Sequence, residues 1–226
     1  MKGTPFLAAI SAILQKDLRA ELRGRELVGA MGIFALLAIL IFSFALELDR
    51  QARTEVISGV LWVTVVFASI LGLNRSLAME RDQGNLDALL LAPINRGAVF
   101  IGKLIGNFLF TLVISAILLP VMTVLYSVSL FDPFLLLTLL LGVMGFTTVG
   151  TLLATMTVQT RAREALLPIV MMPIALPILL AAVRASTGIL NAAPQNDWLA
   201  WVQILFALDV VFTTMCFVLF EFVVEE

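Results

Sequence analysis

Met79-Glu80-Arg81-Asp82-Gln83-Gly84-Asn85-Leu86-Asp87-Ala88-Leu89-Leu90-Leu91-Ala92-Pro93 is the centre of a charged interruption, Asn74 to Lys103, between long apolar runs. The 226 residues are 61% hydrophobic and 13% charged, with a mean hydropathy of +1.08. A soluble domain carries roughly 45–50% apolar and roughly 25% charged residues. Repeated uncharged runs near the roughly 20 residues that cross a bilayer identify an all-α integral membrane protein, not one soluble core.

Outward from this interruption, the chain reads as a single transmembrane domain over residues 1–226 with six spans, at about 27–46, 56–73, 104–130, 134–158, 165–183 and 201–220. Residues 74–103 are expected to form the loop between spans two and three. Residues 1–26 precede the first span, and their apolar character is periodic, so they do not read as a secretory signal. Phe6, Ile10, Leu14, Leu18 and Leu22 recur at helical spacing, while Lys16, Arg19 and Arg23 take another side. That pattern predicts an amphipathic helix lying in the membrane surface among anionic lipid headgroups.

Glu47, Asp49, Arg50, Arg53 and Glu55 read as a short polar hairpin. Gly102 and Gly106 open the third span as a GxxxG, read as a helix-packing signal. Pro120 lies inside that span and predicts a kink. Gly142, Gly145 and Gly150, with five threonines from Thr147 to Thr157, predict a fourth span that is tightly packed or partly hydrated, not lipid-facing. Pro168, Pro173 and Pro177 rule out one straight, fully paired helix in the fifth. Residues 184–200 are expected to hold short re-entrant or interfacial pieces.

Charge decides orientation. Of the fourteen Lys and Arg residues, eleven fall in residues 1–26, 74–103 and 159–164, all on one face of a six-span chain. Both termini and the central loop are therefore expected in the cytoplasm. No basic nucleic-acid surface is present.

Several chemistries are excluded at once. The chain has no histidine, the commonest general base and metal ligand and a usual axial ligand of haem iron. Its one cysteine, Cys216, sits in an apolar run and reads as a small buried hydrophobe. No phosphate-binding glycine loop ending in Lys-Ser or Lys-Thr is present, so the chain is not expected to hydrolyse ATP itself. Asp209 is the one carboxylate well inside a span, where a charge costs on the order of 2.5–3.5 kcal/mol on insertion scales. It reads either as a proton or substrate contact or as a structural hydrogen bond to a neighbouring helix.

If residues 79–91 are helical, Met79, Leu86, Leu89 and Leu90 share one side and Glu80, Gln83 and Asp87 another. Such a helix suits a soluble partner or serves as a solvated connector. At these residues the chain resembles the membrane subunits of type-2 ABC transporters. The resemblance is closer to the cytochrome c maturation haem exporter protein B family. It is carried by Glu80 to Pro93 followed by Arg96 and Gly102-Lys103, and by Leu166-Leu167-Pro168-Ile169-Val170-Met171-Met172-Pro173-Ile174-Ala175-Leu176-Pro177. Leu77 stands where the family's docking motif has an aromatic; Glu80 and Gly84 match its acid and glycine.

The resemblance implies a non-catalytic subunit in a bacterial inner membrane, acting in haem delivery for cytochrome c assembly. It implies a cytoplasmic ABC ATPase docked on a coupling helix through Glu80, Asp82, Gly84, Leu86, Asp87 and Leu90. It further implies a haem-handling membrane subunit and a second copy of the chain as partners. Pro120, Pro168, Pro173 and Pro177 are the hinge candidates. No cofactor is expected on this chain itself: ATP acts through the partner, and haem is expected on a partner. A permease for a lipid, drug or polysaccharide, a non-transporting scaffold and an ion-coupled carrier are the competing readings.

Overall fold

The computed structural model describes residues 5–45, 50–82, 95–157 and 163–223, and all regular structure among them is helical. Seven helices follow in order: α1 (Phe6–Gly24), α2 (Glu26–Ala45), α3 (Arg50–Asp82), α4 (Arg96–Tyr126), α5 (Pro133–Thr157), α6 (Arg163–Leu190) and α7 (Gln195–Val223). All but α1 are long and apolar enough to cross a membrane, as the six uncharged runs require.

The layering follows from side-chain size and polarity. Helices α3 and α5 form the centre: 72% of the membrane-crossing stretch of each is buried, against 22% for α2 and α7. In lipid no hydrophobic force drives helices together, so close approach of backbones and polar contacts must do it. Helix α5 supplies the close approach through its glycines. Trp62 of α3 packs against Gly142, and Leu73 of α3 with Met171 of α6 packs against Gly150. Met31 of α2 fits over Gly72 of α3 in the same way.

Polar contacts tie the same central helices. Ser58 of α3 hydrogen-bonds Thr187 of α6, and Trp62 Nε1 donates to Ser186 Oγ at 3.0 Å. Thr111 of α4 donates to Ser69 at 3.3 Å, and Asn107 Nδ2 donates to Thr151 Oγ1 at 3.0 Å. The remaining threonines of α5 satisfy themselves within the helix, Thr147 and Thr148 donating to the carbonyls of Val143 and Met144. The packed, non-lipid-facing fourth span expected from its glycines is what the structure shows.

Several element boundaries differ from the hydropathy reading. Residues 50–55, read as part of a polar hairpin, are the first turns of α3, and that helix continues past Leu73 to Asp82. The stretch read as a loop from Asn74 to Lys103 is therefore helical at both ends, because Asn95 caps α4 by accepting the Gly97 amide at 2.8 Å. Residues 83–94 lie outside the described residues. Helix α6 runs through Pro168, Pro173 and Pro177 to Leu190, and α7 starts at Gln195. Residues 184–190, expected as interfacial pieces, instead extend the fifth span, with Arg184 on an exposed side.

Candidate functional site

Two places gather the chemistry-bearing side chains. The first is the junction of α1 with the bundle. Ile13 packs on Gly102, and Asp17 lies beside Gly106, so the GxxxG at the start of α4 receives α1. Lys103, between those glycines and 4% exposed, donates to Asp17 Oδ2 at 2.7 Å; Asp17 is itself 13% exposed and also meets Lys16 at 3.3 Å. By sequence alone Lys103 is only the last charge of the polar interruption before the third span. The missed signal is an acid on α1 placed one turn beyond Ile13, level with the gap between the two glycines.

At its other end α1 is held by Glu21. Its carboxylate accepts the backbone amides of Leu27 at 3.2 Å and Val28 at 2.8 Å, satisfying donors at the start of α2 that have no partner within the helix. Arg25 makes the corner in a left-handed conformation, φ 52°, its amide bonded to the Glu21 carbonyl. Glu26 then pairs with Arg75 of α3 at 2.9 Å. Helix α1 is thus tied to α4 by charge and to α2 by capping. The face it buries carries Ala9 and Ile13, while Phe6, Leu7 and Leu22 remain exposed.

An apolar cavity of about 470 Å³ lies between α1, α2 and α4, lined in part by Leu18, Leu22, Val28 and Phe110. Of the expected ATPase-contact residues, Glu80 and Asp82 belong to the last turn of α3. Gly84, Leu86, Asp87 and Leu90 lie outside the described residues.

The second place is Asp209, midway along α7 and 6% exposed. Its Oδ1 sits against Gly145 of α5, in the space a Cβ at 145 would fill, and Ile178 Cδ1 of α6 would be 3.2 Å from the same Cβ. Neither carboxyl oxygen has a hydrogen-bond partner among the described residues. The structural hydrogen bond to a neighbouring helix, one of the two readings of Asp209, is not found among the described residues. Gly145 was singled out only as a packing glycine, and nothing in sequence order joins it to a residue 64 positions away. Cys216, on the same helix, is buried and free, as a small core residue is. Pro120 is internal to α4, and the three prolines of the fifth span are internal to α6.

Comparison with known proteins fits this architecture. The family model described as "CcmB protein" matches residues 8–223. "Heme exporter protein B" of Rhodobacter capsulatus is 30% identical over 172 residues, 75% of this chain and 78% of that protein. The Pseudomonas aeruginosa protein of the same name is 26% identical over 209 residues, covering 90% and 92%. That of Paracoccus denitrificans is 29% identical over 190 residues, covering 83% and 87%. A match that takes in α1, all six spans and both sites leaves one assignment: the chain belongs to the CcmB protein family.

Proposed function

We propose that this chain is the membrane subunit of an ABC-type complex in a bacterial inner membrane, serving haem delivery or release in cytochrome c maturation. Its relatives carry the name haem exporter. Its own role is mechanical, with ATP hydrolysis in a separate cytoplasmic subunit. With no histidine to ligate iron, the haem belongs on a partner membrane subunit, and this chain energises its release.

The observation that carries the reading is the continuity of α3. One helix of 33 residues runs from Arg50 into the segment that holds Glu80 and Asp82, and at about 1.5 Å per residue it is about 50 Å long against a hydrocarbon layer of about 30 Å. The same helix is among the two most buried in the bundle and hydrogen-bonds both α6 and α4. A push on its cytoplasmic end therefore reaches the core without passing through a loop. Pro120 of α4 and Pro168, Pro173 and Pro177 of α6 are the places where neighbouring helices can flex in response. The positive-inside count supports both termini in the cytoplasm, and the exposed Phe6, Leu7 and Leu22 of α1 suit contact with the inner leaflet.

The test is co-purification with the ATPase. Glu80→Arg should lower both the bound ATPase and its hydrolysis rate by tenfold or more, whereas unchanged binding and turnover would remove α3 from the coupling path. A haem Soret band at one equivalent on the purified chain would overturn the placing of haem on a partner.

A further inference from the structure

We infer that Asp209 is a proton-binding site inside the membrane, held as the neutral acid by its seat on Gly145, and that it loses the proton only when α7 parts from α5. The inference concerns the bundle alone and stands whether or not the cargo is haem.

The geometry excludes a buried carboxylate anion in the packed state. Both oxygens are withdrawn from solvent and have no donor among the described residues, whereas a buried charge needs an opposite charge or several hydrogen bonds. Among the described residues no such charge faces it. On α7 the nearest charged residues are Asp197 and Glu221, each twelve positions away, or about 18 Å along the helix. Helix α5 has no charged residue between Pro133 and Thr157 and presents Gly145. Helix α6 presents Ile178; its Arg184 is six residues further on and exposed. Of the charged residues on α4, Arg96 lies by the carbonyl of Glu221 near the end of α7, and Lys103 is engaged with Asp17.

A neutral carboxyl needs no counter-charge, so the proton is what makes the close contact tolerable. When the helices separate and water enters, the Asp209 O–H bond breaks and the proton passes to that water. The resulting carboxylate then resists repacking against Gly145 until it is reprotonated. Proton occupancy and α5–α7 packing are thus two descriptions of one equilibrium.

Infrared spectroscopy of the intact chain in lipid tests both halves. At neutral pH a carbonyl band of a protonated carboxylic acid should be present, should shift on labelling with carboxyl-¹³C aspartate, and should vanish in Asp209→Asn. Asp209→Glu should keep a protonated-acid band that no longer responds to the aspartate label, which assigns the band to position 209 even if Asp209→Asn does not fold. Spin labels at Leu140 and Phe206, both exposed, on a Cys216→Ala background, report α5–α7 spacing. As pH is raised, the band should be lost in the same range in which that spacing grows. Absence of an aspartate-dependent band at neutral pH overturns the proton site. Loss of the band at constant spacing overturns its link to packing.

Discussion

Asp17 and Asp209 are both withdrawn from the surface, but Asp17 accepts a 2.7 Å hydrogen bond from Lys103 whereas neither oxygen of Asp209 has a partner among the described residues. Each acid lies beside a glycine of the helix it packs on, Asp17 by Gly106 and Asp209 by Gly145. The glycine alone therefore does not decide an acid's fate. The neighbouring residue does: α4 places a lysine one turn from its glycine, and α5 has no charged residue at all. The first acid is a structural tie made to a lysine, the second a site whose charge state depends on the packing around it.

The comparison is broken most severely by deleting one member of the ion pair. Asp17→Ala removes the carboxylate to which a nearly buried lysine donates, and a loss of about 3–5 kcal/mol is expected, measured by reversible unfolding in mixed micelles. The double replacement Asp17→Leu with Lys103→Met should recover most of it, since no buried charge then remains. If the single variant costs under about 1 kcal/mol, the pair behaves as a surface contact.

Gly145→Ala sharpens the other side. Its Cβ would overlap Asp209 Oδ1 and come within 3.2 Å of Ile178 Cδ1, so an overpacking cost of about 1–3 kcal/mol is expected. Combined with Asp209→Ala the cost should fall, giving a coupling energy between the two sites. Strict additivity would mean that Asp209 does not press on α5.

The smallest effect is the control. Arg75 and Glu26 pair at 2.9 Å, yet their side chains are 43% and 55% exposed, and Arg75→Gln should change stability by only about 0–1 kcal/mol. A larger loss would place the start of α2 in a drier setting than its exposure indicates.

The six spans were legible because uncharged runs of this length have no other common reading. Their ends were less so, since a charge at the edge of an apolar run reads as the close of a span. Lys103 does not end a helix because Asp17 receives it, and Arg184 does not because it lies on an exposed side of α6. The docking residues came from resemblance, and of these only the positions of Glu80 and Asp82, at the end of α3, are within the described residues. Asp209 was visible as a lone acid, but its missing partner was not, because pairing across α5 and α7 depends on how two helices 64 residues apart are rotated.

The tie between Asp17 and Lys103 spans 86 residues of sequence, which sets an order of events during synthesis. At about 5–20 residues per second, α1 exists for roughly 4–17 s before the lysine that locks it to the bundle is made. For that interval Asp17 must be hydrated, so the first helix waits in water or at the lipid headgroups. When α4 enters the membrane it carries a lysine, whose insertion is eased by an acid already in place. A chain lacking α1 would meet that step unaided, so its defect should appear as failed insertion of the third span and not as lost transport by an assembled protein.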